Sequence, residues 1–101
     1  VDEQARNRYF TLKYSSNEDR RLYESIGRTF DKLKYNPYSG DNIKKERIPP
    51  KYKHLNGLFK ININRYWRML YTVKSLDRSN TLVIIIDFLP HNEYDRLFGY
   101  H

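Results

Sequence analysis

Cysteine is absent from the chain. That absence alone excludes disulfides, thiolate nucleophiles, Cys-ligated zinc and iron–sulfur clusters. Glycine is scarce, with four in 101 residues and none clustered. No glycine-rich loop therefore exists to cradle phosphates, which argues against a nucleotide-dependent enzyme. The longest apolar run, Leu82–Ile86, has five residues, far below the roughly 20 needed to cross a bilayer. No charged-then-apolar start reads as a signal peptide. The three histidines, His54, His91 and His101, lack compact ligand spacing such as H-E-x-x-H, so no metal site is expected. No nucleophile-elbow motif supports a Ser–His–Asp hydrolase. The expectation is one cytoplasmic domain over residues 1–101, with no cofactor and no membrane association.

What is present is charge. Hydrophobic residues make up 39% and charged residues 31% of the chain, with mean hydropathy −0.91. The net charge is +7, and it is unevenly spread: residues 1–42 carry +1, residues 43–78 carry +8 and residues 79–101 carry −2. The middle block holds Lys44, Lys45, Arg47, Lys51, Lys53, Lys60, Arg65, Arg68, Lys74 and Arg78. Concentrated positive charge attracts polyphosphate. Tyr52, Phe59, Tyr66, Trp67 and Tyr71 are interleaved with it, and nucleobases stack on aromatic rings.

The coarse architecture follows from periodicity. Residues Tyr9 to Tyr14 are β-branched and aromatic and predict a first strand. Ser15 followed by Glu18 has the form of a capping box. Leu22, Ile26, Phe30 and Leu33 then recur at helical spacing through about Tyr35, and Asn36-Pro37 ends that helix. From Leu58 the period becomes two: Phe59, Ile61 and Ile63 oppose Lys60, Asn62 and Asn64. A second alternating strand sets Met69, Tyr71 and Val73 against Arg68, Leu70 and Thr72. Residues Thr81 to Phe88 form a continuous apolar run, the pattern of a strand covered on both faces, which predicts a central position in the sheet. Pro90 is expected to break it, and His91–Phe98 to form a short helix stopped by Gly99. The predicted fold is α+β: a small antiparallel sheet with an N-terminal helix on one face and a short C-terminal helix. Lys60, Asn62 and Arg68 should then emerge on the opposite face, a concave site of one charge.

Three stretches resemble a known family. Leu55-Asn56-Gly57-Leu58-Phe59-Lys60-Ile61 with Trp67-Arg68-Met69-Leu70-Tyr71 resembles the paired-strand motif of RelE/ParE-superfamily toxins. His91-Asn92-Glu93-Tyr94-Asp95 resembles the H-x-x-Y-D ending of its mRNA-cleaving branches. Leu33-Lys34-Tyr35-Asn36-Pro37-Tyr38 is similar to the family's helix close. The resemblance spans about residues 9–98 and implies a RelE-like fold. It also implies a toxin of a type II toxin–antitoxin system, an mRNA interferase that cuts mRNA in the ribosomal A site and inhibits translation. The partners implied are mRNA, the ribosome with its rRNA, and a RelB-like antitoxin.

Such a metal-independent endoribonuclease drives the 2′-hydroxyl onto the adjacent phosphorus. It needs a base for the 2′-proton, a cation for the phosphoryl oxygens and an acid for the leaving 5′-oxygen. Arg68 matches the family arginine, and its fork suits phosphate; an ordinary strand ion pair is the competing role. Lys60 matches a family lysine and would steady the phosphate, or be a plain surface lysine. His91 is suited to proton transfer or to capping the last helix. Tyr94 would donate a proton, stack on a base or fill the core, and its spacing of three from His91 predicts one shared helical face. Glu46 lies where some relatives place a carboxylate base. RNA contacts are expected from Lys44, Lys45, Arg47, Lys51, Lys53, Asn62 and Arg65; at Asn62 some relatives carry a second lysine. Two other functions stay open: a non-enzymatic, ParE-like gyrase inhibitor on the same fold, and a plain RNA-binding module.

Overall fold

The computed structural model describes residues 17–99; the strand expected at residues 9–14 and the Ser15 cap lie outside them. Helix α1 spans Asn17–Tyr35. Glu18 and Asp19 stand in its first turn and Lys32 and Lys34 in its last, which complements the helix dipole at both ends. Its buried residues are Leu22, Ile26, Thr29 and Leu33. Phe30 packs half-buried against the same core, as expected; Thr29 is buried beside it, and its hydroxyl donates to the Ser25 carbonyl at 2.9 Å. Four strands follow: β1 (Asp41–Asn42), β2 (Phe59–Asn62), β3 (Trp67–Ser75) and β4 (Thr81–Pro90). They form an antiparallel sheet in the order β1-β2-β3-β4. Helix α2 spans His91–Phe98 and ends at Gly99, whose φ of 75° is the left-handed stop the sequence predicts. The α+β arrangement is the expected one.

Two details differ. Among the described residues β4 has one strand neighbour, β3; the first strand expected at residues 9–14 lies outside them. Its apolar run reflects cover on both faces of the sheet. A bulge opposite Leu70 and Tyr71 leaves Ile86 as the extra residue, because Leu70 pairs with Asp87 and Tyr71 with Ile85. The bulge resets the alternation, so Ile85 and Phe88 both join the α1 side while Ile86 and Leu89 join the other. Pro90 ends the strand as expected, being its last residue, and stands at the N-cap position of α2.

The second difference is on the face away from α1. Ile61, Met69 and Tyr71 pack with Leu22, Ile26 and Leu33 as expected, joined by Ile85 and Phe88 of β4. The opposite face is not an open concavity. Leu70 and Leu89 pack there with Leu58, Ile48, Tyr94 and Phe98 in a second apolar cluster. The connection from β1 to β2 and helix α2 thus cover the apolar half of that face, and Thr72 is satisfied there by donating to the Gly57 carbonyl at 2.7 Å.

Turns are fixed by side chains. Asn64 Oδ1 accepts the N–H groups of Tyr66 (2.8 Å) and Trp67 (2.7 Å) between β2 and β3. Asp77 accepts those of Ser79 (2.8 Å) and Asn80 (2.9 Å) between β3 and β4. The Asn80 side chain and then the Ser79 N–H hold the Asp77 carboxyl below the usual carboxylate range.

Tyr71, fully buried in β3, accepts a hydrogen bond from the Gly40 N–H at 3.0 Å. A Cβ at position 40 would meet the Tyr71 hydroxyl at 2.6 Å and the Lys60 carbonyl at 2.7 Å, so only glycine fits. Tyr71→Phe strands that N–H and is expected to cost about 1–3 kcal/mol in urea unfolding at neutral pH. Burial raises the Tyr71 hydroxyl's pKa, the Gly40 N–H opposes the rise, and the Asp41 charge adds to it. The folded state therefore binds this proton more tightly than the unfolded chain. Its contribution is complete below about pH 10 and is lost as pH rises through the raised value. The stability gap between the native protein and Tyr71→Phe should narrow above that pH; a constant gap would show that the hydroxyl does not titrate as described.

Candidate functional site

The polar half of the face opposite α1 is built around Lys60. Alternation along β2 turns its side chain away from α1, and it is 19% exposed. Its Nζ lies 3.0 Å from Asp41 Oδ2, 3.4 Å from Asn62 Oδ1 and 5.9 Å from the Tyr94 ring centroid. Lys44, Arg47, Asn42 and Ile43 complete this cleft, of about 390 Å3. An adjoining cleft of about 520 Å3 shares Asn42, Ile43 and Lys44 and adds Lys45, Lys53 and His54.

The connection holds these cations outward for a local reason. Short 3-10 turns at Lys45–Arg47 and Pro50–Tyr52 flank Ile48, which is buried in the second cluster. Anchoring Ile48 inward leaves Lys45 and Arg47 on the surface. Lys53 Nζ donates to the Lys45 carbonyl at 3.0 Å and draws the two turns together. Lys51 lies over the Tyr52 ring at 5.0 Å, outside the linings of both clefts.

A second group of candidates gathers where the β2–β3 turn meets the start of α2. Arg68 pairs with Asn62 across the strands, which makes it a diagonal neighbour of Lys60 on the same face. Its Nη1 donates to the carbonyls of Asn64 and Arg65, both at 3.3 Å, and of Trp67 at 3.4 Å. His91 donates its backbone N–H to the next carbonyl, Tyr66. Its ring stands edge-on to Tyr66 at 4.8 Å, and its Nδ1 lies 3.7 Å from Asp95 Oδ2.

His91 and Tyr94 are consequently parted, not aligned on one face. Tyr94 is 7% exposed, packs against Phe98 and lines the Lys60 cleft, whereas His91 is exposed at the start of the helix. Glu46 is exposed on the first 3-10 turn and is not part of the Lys60 cleft. The carboxylate beside Lys60 is Asp41, which sequence reasoning missed. Its placement depends on Gly40 reaching Tyr71, 31 residues away, and no local pattern carries that.

Chemically, the clefts offer Lys44, Lys45, Arg47, Lys53 and Lys60 to an anion, with Asp41 already against one of them. Among the described residues no three His, Asp or Glu side chains converge as a metal site, and no helix is long and apolar enough to cross a membrane. No protein-family model, curated protein or solved structure matches the chain.

Asp41 competes with any anion for the Lys60 ammonium. Asp41→Asn is expected to raise affinity for a short single-stranded polyanion roughly two- to fivefold at low salt, the scale of an exposed ion pair. In a Lys60→Met background the same change should do little. Fluorescence anisotropy on the four proteins checks this; equal gains in both backgrounds would mean that Asp41 acts only through net charge.

Proposed function

We propose that the chain is a metal-independent endoribonuclease toxin that cleaves mRNA on the ribosome and is restrained by an antitoxin. The observation that supports this most is the convergence of Lys60, Lys44 and Arg47 with Tyr94 in one cleft, on the sheet face that also bears Arg68. The +8 block and the motif resemblance support the same reading.

In this reading the 2′-hydroxyl oxygen forms a bond to the adjacent phosphorus as the bond to the 5′-oxygen breaks. The products are a cyclic phosphate and a 5′-hydroxyl. Charge builds on the non-bridging oxygens, where a preorganised cation acts most strongly. Lys60 supplies one. Arg68 supplies the other through Nε and Nη2, since its bonds to the Asn64, Arg65 and Trp67 carbonyls use Nη1. Asp95 faces His91 Nδ1, so Nε2 is the nitrogen that gives the leaving oxygen its proton. The 2′-proton goes to Asp41, the carboxylate that lines the cleft beside Lys60.

A second reading, RNA binding without cleavage, is favoured by two observations: Arg68 Nη1 is committed to turn carbonyls, and the Tyr94 ring is almost fully buried.

Expression of the chain alone is expected to stop incorporation of labelled amino acids, with new mRNA ends visible by primer extension. Arg68→Ala should lower single-turnover cleavage on programmed ribosomes by about 10²–10³. Loss of its carbonyl contacts should cost roughly 1 kcal/mol of stability, which thermal unfolding reads separately. Unimpaired translation would overturn the proposal. Ribosome or RNA binding without new mRNA ends would select the second reading.

A further inference from the structure

Resting on the RNA reading above, we infer that Tyr66 is a nucleobase-stacking platform that positions a single-stranded RNA beside the Lys60–Arg68 face. Five aromatic residues are interleaved with the basic block, and the fold removes most of them from consideration. Phe59 and Tyr71 stack on each other at 5.3 Å and belong to the α1-side core. Trp67 packs against that core, and Tyr52 against the second cluster. Tyr66 alone of the five is exposed, at 46%.

It is also held from several directions. Its N–H donates to Asn64 Oδ1 at 2.8 Å, and its carbonyl accepts the His91 N–H. Its hydroxyl donates to Asn92 Oδ1 at 3.4 Å. Its ring meets His91 edge-on at 4.8 Å and Trp67 at 6.1 Å. An exposed tyrosine fixed in this way loses little freedom when a planar ligand stacks on it, which is where preorganisation adds affinity. The neighbouring exposed cation is Arg65, and Arg68 contacts the Arg65 carbonyl. A base on Tyr66 would thus bring its own phosphate into a cationic surround. Tyr35 and Tyr38 are more exposed, at 94% and 59%, but Tyr35 ends α1, and Tyr38 leans on Phe59; neither adjoins Arg68 or His91 in sequence or pairing.

The test uses a short unstructured oligoribonucleotide and, as a base-free polyanion, inorganic polyphosphate. Binding is followed by anisotropy and by emission of Trp67, the chain's one tryptophan. Tyr66→Ala is expected to weaken RNA binding about tenfold or more and to leave polyphosphate binding unchanged. Tyr66→Phe and Tyr66→Trp should keep RNA binding near native, because the π face remains. Tyr66→Leu keeps apolar bulk at the turn, so it serves if the alanine variant melts, and should show the same selective loss. Native-level RNA binding by the alanine or leucine variant, or equal loss for both ligands, overturns the platform while leaving the endoribonuclease reading standing. Failure of the unaltered protein to bind the oligoribonucleotide at all also overturns the platform, whereas the endoribonuclease reading falls with unimpaired translation.

Discussion

Met69, Leu70, Tyr71 and Thr72 are consecutive in β3 and all four are buried, which a strand achieves only when both faces of its sheet are covered. That requirement organises the rest of the molecule. Helix α1 covers one face with Leu22, Ile26 and Leu33. No second long helix is present among the described residues for the other face, so the β1–β2 connection and the short α2 share the task through Ile48, Leu58, Tyr94 and Phe98. Their cover stops at the end of the sheet where β2 and β3 present Lys60, Asn62 and Arg68. The candidate site lies where the second apolar layer runs out, and the cations border it because the same connection that supplies Ile48 also supplies Lys44 and Arg47.

Tyr71 links the two layers to the site. Its ring belongs to the α1-side core, yet its hydroxyl holds the Gly40 N–H. Asp41 follows directly and pairs with Lys60 across β1 and β2. A buried side chain therefore sets the position of the carboxylate that neutralises the central lysine. Core packing and site electrostatics are coupled here through one hydrogen bond and one glycine.

Much of this was legible from residue pattern. The fourfold spacing of Leu22, Ile26 and Phe30, the alternation of Phe59 to Asn64, and Pro90 and Gly99 around the last helix each mark an element that the structure contains. Local pattern failed where long-range contacts decide. Leu70 alternates with Met69 like a solvent-facing residue, and only the β1–β2 connection together with the return of α2 buries it. The run from Leu82 to Ile86 announces cover on two faces, which the two clusters supply, but says nothing of neighbouring strands. Lys60 was legible because strand period fixes its face. Asp41 was not, since two residues of strand following a turn carry no periodicity. Arg68 was legible as an outward cation; its hold on the turn carbonyls depends on the conformation Asn64 imposes.

The two groups of candidates, Lys60 with Tyr94 and Arg68 with His91, are joined by α2, where three residues advance the axis by about 4.5 Å. Both groups therefore border the same short helix. In the free protein the Lys60 ammonium already faces Asp41, and the His91 ring faces Asp95. Each carboxylate lowers the local positive potential without removing the surrounding excess, so a polyanion is attracted from a distance by the +8 block but must displace an internal partner to bind closely. Long-range attraction of this kind falls with ionic strength. Close engagement depends instead on whether the ligand offers more than charge. Tyr66, exposed on the turn beside Arg68, is the aromatic of the basic block placed to supply such a second contribution, which under the proposed RNA reading would come from base stacking.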